Sequence, residues 1–234
     1  MTDDPSFIHL AGVAKSYGRG EERLSIFDGL SLDIPRGDFV AVMGPSGSGK
    51  STLLNLLAGL DTSEGGHVFI GGSDLSVMGE SARGRWRTET LGIVFQFYNL
   101  LPMLTAAENV ELPLLLRPLS KRERRERVAT VLGLLGLKDR ARHYPRQMSG
   151  GQQQRVGIAR AIVTDPALLL CDEPTGDLDR RSADEALAML DLLNRDLGKT
   201  IVMVTHDPAA AKVARRTLYL DKGSFRPEDA EAAR

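Results

Sequence analysis

A glycine-rich loop between two apolar segments constrains the fold of this chain more than any other feature. The apolar run Phe39–Met43 is typical of a buried strand, and Thr52–Leu60 has the apolar content of a buried helix. Between them, Gly44–Ser51 reads GPSGSGKS and fits the pattern GxxxxGK[ST]. Because glycines let backbone N–H groups turn inward around phosphate oxygens, this strand–loop–helix order predicts an α/β nucleotide-binding fold.

The residues of this loop have distinct expected roles. Lys50 is expected to reach the β- and γ-phosphates, and the Ser51 hydroxyl to ligate Mg²⁺. The positive N-terminal end of the following helix faces the same anion. An ordinary Gly/Ser turn is the alternative, which the flanking strand and helix disfavour. The predicted ATP ligands are Gly44, Pro45, Ser46, Gly47, Ser48, Gly49, Lys50, Ser51 and Thr52.

A second apolar run, Leu168–Cys171, ends in two carboxylates. This pattern predicts that Asp172 holds Mg²⁺ and that Glu173 polarises a water molecule for in-line attack on the γ-phosphate. A solvated turn is the alternative for an isolated Asp-Glu pair, and the glycine loop disfavours it here. We interpret Cys171 as a small core residue rather than a reactive thiol.

The remaining pattern predicts alternating strands and helices, and hence a mostly parallel sheet. From about Tyr98 to Val163 the pattern is helical, and one helix begins near Lys121. The charged start of that helix, Lys121–Arg127, is interpreted as a solvated face, with a basic membrane-facing patch as the weaker alternative. The other apolar runs that predict short strands are Phe7–Leu10, Leu30–Ile34, Leu91–Phe95, Ala167–Cys171 and Ile201–Val204.

Composition disfavours several classes of protein. The formal net charge of −1 offers no basic footprint for nucleic acid. A single cysteine excludes an intrachain disulfide and fits a reducing compartment. No apolar run approaches the roughly 20 residues that span a bilayer, and the N-terminus does not have the features of a signal peptide. We expect a chain that does not cross a membrane but can lie against one.

A second glycine-bearing segment, Met148–Arg155, indicates which kind of nucleotide-binding protein this is. It reads MSGGQQQR, and Ser149 with Gln152 predicts a capping box at a helix N-terminus, which suits a phosphate. The segment resembles the signature motif of ATP-binding cassette (ABC) ATPases. Its combination with the glycine loop and the Asp172–Glu173 strand is similar to that family. Met148 stands where that family usually has Leu. The resemblance covers about Ile8–Gly223.

The resemblance implies further site residues. Tyr17 matches the aromatic residue that stacks on adenine, with an ordinary loop tyrosine as the alternative. Gln96 matches the Q-loop glutamine, which contacts Mg²⁺ and the attacking water, and His206 matches the switch histidine that contacts the γ-phosphate. Gly176–Asp179 resembles the D-loop.

In this family the phosphate at the signature motif belongs to ATP held by the other protomer. The resemblance therefore implies a head-to-tail, ATP-dependent homodimer. The residues expected to complete the partner's site are Ser149, Gly150, Gly151, Gln152 and Asp179.

The implied fold is a P-loop NTPase with an ABC-ATPase core, a mostly parallel sheet, an N-terminal antiparallel β region and an inserted α-helical subdomain. We place a single domain at residues 1–225. Its RecA-like core is expected at 1–97 and 164–225, and its helical signature subdomain at about 98–163. Residues 226–234 are expected to form a polar tail.

Two segments, Gly92–Pro102 and Leu104–Leu114, are similar to the lipoprotein-releasing and macrolide-exporter group of ABC ATPases. In that group the ATPase drives a four-helix membrane subunit that does mechanical work across the cell envelope. Since no membrane domain is fused here, the resemblance implies a separate permease, contacted near Gln96–Leu101, and a peripheral location on the cytoplasmic face of the bacterial inner membrane. The apolar residues Phe97, Tyr98, Leu100 and Leu101 either form that contact or pack inside the helical subdomain.

Three functions compete. An ATP-hydrolysing transporter subunit for export or lipoprotein release, with ATP and Mg²⁺ as cofactors, is favoured. A non-transport ATPase that regulates envelope or cell-division hydrolases through a similar membrane partner is the alternative. A soluble nucleic-acid ABC protein is disfavoured, because the segment from Lys50 to Ser149 is too short for the coiled coil of the repair proteins. The chain also has one cassette where the translation factors have two.

Overall fold

The computed structural model describes residues 6–18 and 23–226. Residues 1–5 and 19–22 and most of the predicted tail, residues 227–234, lie outside the described residues. The chain divides into two compact units, Met1–Gly84 with Thr200–Arg234, and Arg85–Lys199. We call the first the P-loop unit and the second the helical unit. Within the described ranges, no helix has the length and apolar content needed to span a bilayer.

Strands and helices alternate along most of the chain. In chain order they are β1 (Ser6–Tyr17), β2 (Leu24–Pro35), β3 (Phe39–Met43), α1 (Lys50–Leu57), β4 (Gly65–Ile70), β5 (Ser73–Asp74), α2 (Glu80–Thr90), β6 (Leu91–Val94), α3 (Ala106–Glu111), α4 (Lys121–Leu134), α5 (Gly150–Ile162), β7 (Leu168–Asp172), α6 (Arg180–Arg195), β8 (Thr200–Val204), α7 (Pro208–Ala211), β9 (Arg216–Asp221) and β10 (Ser224–Phe225). Helix α2 carries the chain from the P-loop unit into the helical unit. Short 3₁₀ helices lie at Leu112–Leu116, Lys138–Arg140 and Pro145–Gln147.

The P-loop unit contains an antiparallel sheet with the strand order β2-β1-β4-β5. Its inward-facing side chains meet across the strands, as in the pairs Ile8–Ile34 and Leu10–Leu32. Strand β3 belongs to a second sheet, in which it pairs in parallel with β8 on one side and with β9 on the other. Every residue of β3 and β8 is buried, which is typical of a parallel sheet with both faces covered.

Helix α1 is shorter than the sequence pattern predicts. It begins at Lys50 and ends at Leu57, whereas the apolar pattern runs to Leu60. The helix ends because Gly59 takes a left-handed conformation with φ 61°, and Leu60 donates its backbone N–H to the carbonyl of Asn55 at 2.9 Å. The chain then turns back toward β4.

The helical unit combines one parallel strand pair with the helical segment. Strand β6 pairs with β7, with Val94 opposite Cys171. On α4, Val128 and Leu132 are buried, while the charged first turns at Lys121–Arg127 are largely exposed, as a solvated face requires. The helical subdomain predicted at about 98–163 falls entirely within this unit, and its precise boundaries stay a prediction.

Candidate nucleotide-binding site

The glycine loop lies at the carboxyl end of β3 and leads directly into α1. The Lys50 ammonium donates to the carbonyls of Gly44 and Pro45, both at 2.8 Å, so the lysine folds back over the loop. No side chain caps the start of α1, and no acidic residue lies in its first turn. The first N–H groups of the helix are therefore available to an anion, as the predicted phosphate site requires.

Gly44 can only be a glycine in this loop. It has φ 154°, and a Cβ there would lie 2.1 Å from the carbonyl oxygen of Leu220. The nearby Ser48 hydroxyl is 3% exposed and has no hydrogen-bond partner among the described residues. A buried hydroxyl without a partner is uncommon in a folded protein.

His206 follows β8 at the same edge of the sheet. Because β3 and β8 are parallel neighbours, the glycine loop and the residues after β8 leave the sheet on the same side. Thr205 donates its backbone N–H to Val42 at 3.2 Å, and its hydroxyl accepts from the N–H of Asp207 at 3.0 Å. These bonds hold the exposed His206 between two fixed neighbours.

Tyr17 is the last residue of β1 and is 42% exposed. Its hydroxyl donates to Asp61 Oδ2 at 2.7 Å. Burial, followed by the hydrogen bond to Asp61, raises the pKa of this tyrosine, so the hydroxyl stays a donor at neutral pH. Tyr17 thus presents a partly open ring within the unit that holds the glycine loop.

The helical unit holds the carboxylates and Gln96. Gln96 follows β6, Asp172 ends β7 and Glu173 comes directly after it, so these residues share the carboxyl edge of a parallel strand pair. The Gln96 amide lies against Gly176, where a Cβ would come within 2.9 Å of Nε2. Glu173 has φ 45°, a left-handed conformation that is uncommon for a residue with a side chain.

The signature segment forms the predicted capping box at the start of α5. The Ser149 hydroxyl accepts from the N–H of Gln152 at 3.3 Å, and Gln152 Oε1 accepts from the N–H of Ser149 at 3.0 Å. Asp179 caps α6 in a similar way and accepts from Ser182 at 2.9 Å. These backbone hydrogen bonds lower the pKa of the Asp179 carboxyl, which therefore stays charged.

Tyr98 connects the segment after β6 to the D-loop segment. Its hydroxyl donates to Asp177 Oδ2 at 3.1 Å. Burial and the bond to Asp177 raise the pKa of Tyr98 to about 12. The neighbouring Phe97 and Leu101 are 67% and 43% exposed, so the apolar stretch after Gln96 is not wholly packed within the described chain.

Helix α5 supports both of these segments through two side chains. The Arg160 guanidinium donates to the carbonyls of Tyr98 and Asn99 at 2.7 and 2.5 Å. Gln154 is fully buried, and its amide donates to the carbonyl of Pro174 at 2.5 Å. Gln154, which lies in the signature segment, and Arg160 were given no role from the sequence, because a motif does not show which of its polar side chains are buried.

Comparison with known proteins agrees with this geometry. The family model described as ABC transporter matches residues 27–176. The lipoprotein-releasing system ATP-binding protein LolD of Chromohalobacter salexigens is 44% identical over 97% of this chain and 98% of its own length. The macrolide export ATP-binding/permease protein MacB of Marinobacter nauticus is 46% identical over 93% of this chain, which spans 34% of that protein.

A solved structure shows the same architecture. The post-hydrolysis dimer of the ATP-binding cassette MJ0796, bound to ADP and Pi, is 42% identical and has a TM-score of 0.85. The alignment covers 94% of this chain and 97% of the cassette. This chain therefore belongs to the ABC transporter family. The family, the α/β P-loop fold and the ATPase class predicted from the sequence are confirmed, and the roles of individual site residues stay predictions.

Proposed function

We propose that this chain binds ATP with Mg²⁺ and, as a head-to-tail homodimer, hydrolyses it to drive a membrane permease in export or in lipoprotein release. One observation carries the proposal. The chain holds two helix ends suited to phosphate, one at α1 behind the glycine loop and one at α5 behind Ser149. An ATP-dependent pair of chains uses both ends, since each α5 then serves the nucleotide on its partner's α1.

The proposed roles follow the chemistry of the side chains. In the proposed reaction the Glu173 carboxylate takes a proton from water as the water oxygen bonds to the γ-phosphorus and the bond to ADP breaks. Gln96 orients that water, and His206 donates a hydrogen bond to the γ-phosphate. Tyr17 stacks on adenine, and Gly44–Thr52 binds the phosphates. Completion of the site from the partner falls to Ser149, Gly150, Gly151, Gln152 and Asp179.

The donor set fits Mg²⁺. Ser51, Gln96 and Asp172 offer a hydroxyl, an amide carbonyl and a carboxylate, all hard oxygen ligands. Among the described residues there is no cluster of three or more His, Cys, Asp or Glu side chains that holds a metal alone. The proposed ion is shared between the Ser51, Gln96 and Asp172 side chains and the phosphates, whose charge it neutralises.

The proposed permease contact is the stretch Gln96–Leu101, and the proposed location is the cytoplasmic face of the bacterial inner membrane. Phe97 and Leu101 are the exposed apolar residues that support this contact. The similarity to LolD, which covers 98% of that protein's length, supports lipoprotein release as the process that the proposed permease carries out. The near-neutral charge gives no support to nucleic acid as a partner.

Glu173→Gln tests the proposed reaction. The variant keeps ATP binding but loses the carboxylate that accepts the proton, so hydrolysis falls by about 10²–10⁴-fold. An ATP-bound dimer is expected to accumulate, because the step that reopens it is blocked. Phosphate release measures the rate, and size-exclusion chromatography with ATP and Mg²⁺ measures the dimer.

Lys50→Ala is the matched control, since it removes a phosphate ligand and is expected to lose both ATP binding and the dimer. Near-normal phosphate release by Glu173→Gln would contradict the role given to Glu173. Absence of ATP binding by the unaltered chain would contradict the proposed function as a whole.

A further inference from the structure

Two residues outside the recognised motifs fix Tyr17 at the end of β1. Asp61 Oδ2 accepts the Tyr17 hydroxyl at 2.7 Å, and Asp61 Oδ1 lies 2.6 Å from Lys15 Nζ. The Lys15 ammonium also lies 5.0 Å from the centroid of the Tyr17 ring. The three side chains therefore form one cluster in which an anion holds the hydroxyl and a cation faces the ring.

Asp61 belongs to the turn that ends α1, the helix that starts at the glycine loop. Its backbone N–H donates to the carbonyl of Asn55 at 3.2 Å. Its carboxylate also accepts from the backbone N–H of Thr62 at 2.7 Å, and Lys15 donates to the Thr62 carbonyl at 3.0 Å. The hydrogen bond to Asp61 thus ties the Tyr17 hydroxyl to the far end of α1.

The cluster is charged, and its lysine is buried. Lys15 is 8% exposed, and a lysine so buried requires a paired anion. Burial alone raises the pKa of Asp61, but the hydrogen bonds from Lys15 and Tyr17 outweigh it and the pKa is lowered overall. Asp61 is therefore ionised at neutral pH and serves as an acceptor for all its donors.

We propose that Asp61 and Lys15 position Tyr17 for base stacking: Asp61 locks the hydroxyl, and Lys15 covers one face of the ring. The other face is left for the nucleotide base, in keeping with the 42% exposure of Tyr17. This inference rests on the proposed function, in which Tyr17 contacts adenine. Asp61 and Lys15 are positioning residues, because they act through Tyr17.

The test compares a ligand that has a base with one that lacks it. ADP and inorganic pyrophosphate, each with Mg²⁺, are titrated calorimetrically, so that no hydrolysis intervenes. Tyr17→Ala removes the ring and is expected to weaken ADP binding by roughly 5- to 100-fold, the worth of one base–aromatic stack. Tyr17→Phe removes the hydrogen bond, and Asp61→Asn removes the charge of its acceptor. Each is expected to weaken ADP binding by about fivefold, the worth of one ordinary hydrogen bond.

Three further results are expected if the positioning role is right. Pyrophosphate affinity stays unchanged in every variant, because Lys15, Tyr17 and Asp61 are not among the proposed phosphate ligands. The double variant Tyr17→Phe/Asp61→Asn loses no more than the larger single loss, because both changes affect the same bond. The control Glu64→Gln binds ADP normally, since that carboxylate bonds Ser16 and Arg23.

The outcomes separate this inference from the proposed function. If Tyr17→Ala leaves ADP affinity intact, adenine stacking on Tyr17 is wrong and the inference falls with it. If Tyr17→Ala weakens ADP but Tyr17→Phe and Asp61→Asn do not, stacking stands and the positioning role is overturned. An equal loss for ADP and pyrophosphate in Asp61→Asn overturns it too, because Asp61 then supports the phosphate loop. If Asp61→Asn does not fold, normal ADP affinity in Tyr17→Phe is by itself enough to overturn the positioning role.

Discussion

Three consecutive residues at the end of β7 have three different environments. Cys171 is fully buried, Asp172 is partly exposed, and Glu173 adopts φ 45°. Within three residues the chain thus leaves the apolar core and adopts a backbone conformation that costs free energy. Such a conformation is expected where the side chain must be aimed, which agrees with the role proposed for Glu173.

The buried thiol gives a prediction at the same scale. Burial raises the pKa of Cys171, so almost no thiolate forms at neutral pH. We expect the folded protein to react slowly with a thiol reagent such as 5,5′-dithiobis(2-nitrobenzoate), and to react fully once it is unfolded in guanidinium chloride. Because the chain has a single cysteine, the absorbance change reports this one site. Rapid reaction of the folded protein would contradict the burial.

Residue-scale prediction from the sequence succeeded in locating contiguous motifs and failed for distant pairs. The Ser149–Gln152 capping box could be predicted because its two partners lie three residues apart. The pair of Lys15 and Asp61 could not be predicted, since it exists only because β1 lies beside the turn after α1. Tyr98 and Asp177 form a similar distant pair.

At the scale of elements, β6 packs against the end of α5 without space for a side chain. A Cβ on Gly92 would lie 2.2 Å from the carbonyl oxygen of Ala161 and 2.8 Å from Leu169 Cδ2. Gly92→Ala is therefore expected to lower the free energy of unfolding by about 1–3 kcal/mol, as over-packing usually does. The midpoint of urea unfolding measures the change.

The same substitution within α4 is expected to have the opposite sign. Gly133 has only the flexible end of Lys138 near its Cβ position, at 3.4 Å. Gly133→Ala is expected to raise the free energy of unfolding by about 0.5–1 kcal/mol, because alanine favours a helix. If both variants unfold at the wild-type midpoint, the close packing of β6 on α5 is contradicted.

Strands and helices were predicted from periodicity where it is regular. Fully buried strands such as β3 and β8 stand out as short apolar runs. The first two strands are much longer than the predicted runs Phe7–Leu10 and Leu30–Ile34. The prediction was too short because register shifts interrupt the alternation of apolar and polar residues along these strands. A bulged strand has no constant period, so its length cannot be read from the pattern.

At the scale of the whole molecule, the proposed composite site predicts complementation between two inactive chains. Ser149→Arg is expected to block dimer closure while leaving the ATP affinity of its own chain unchanged. Lys50→Ala is inactive for the separate reason that its glycine loop is defective. A mixture should regain ATPase activity, because the intact loop of the first chain meets the intact signature segment of the second.

Phosphate release from the two variants, alone and mixed, measures this recovery. A mixture no more active than its components would contradict the arrangement in which Ser149 serves the neighbouring chain. Such an assembly could be expected only through the resemblance to the family. Within one chain, a capped helix end does not reveal whose phosphate it receives.

The discontinuous make-up of the P-loop unit has a consequence during synthesis on the ribosome. Strand β3, which leads into the glycine loop, has β8 and β9 as its two neighbours, and both follow residue 199. The helical unit is the single uninterrupted segment Arg85–Lys199, so all of its residues are translated before β8 and β9. We therefore expect the glycine loop of a nascent chain to gain its supporting sheet, and with it nucleotide binding, only after β8 and β9 have been translated.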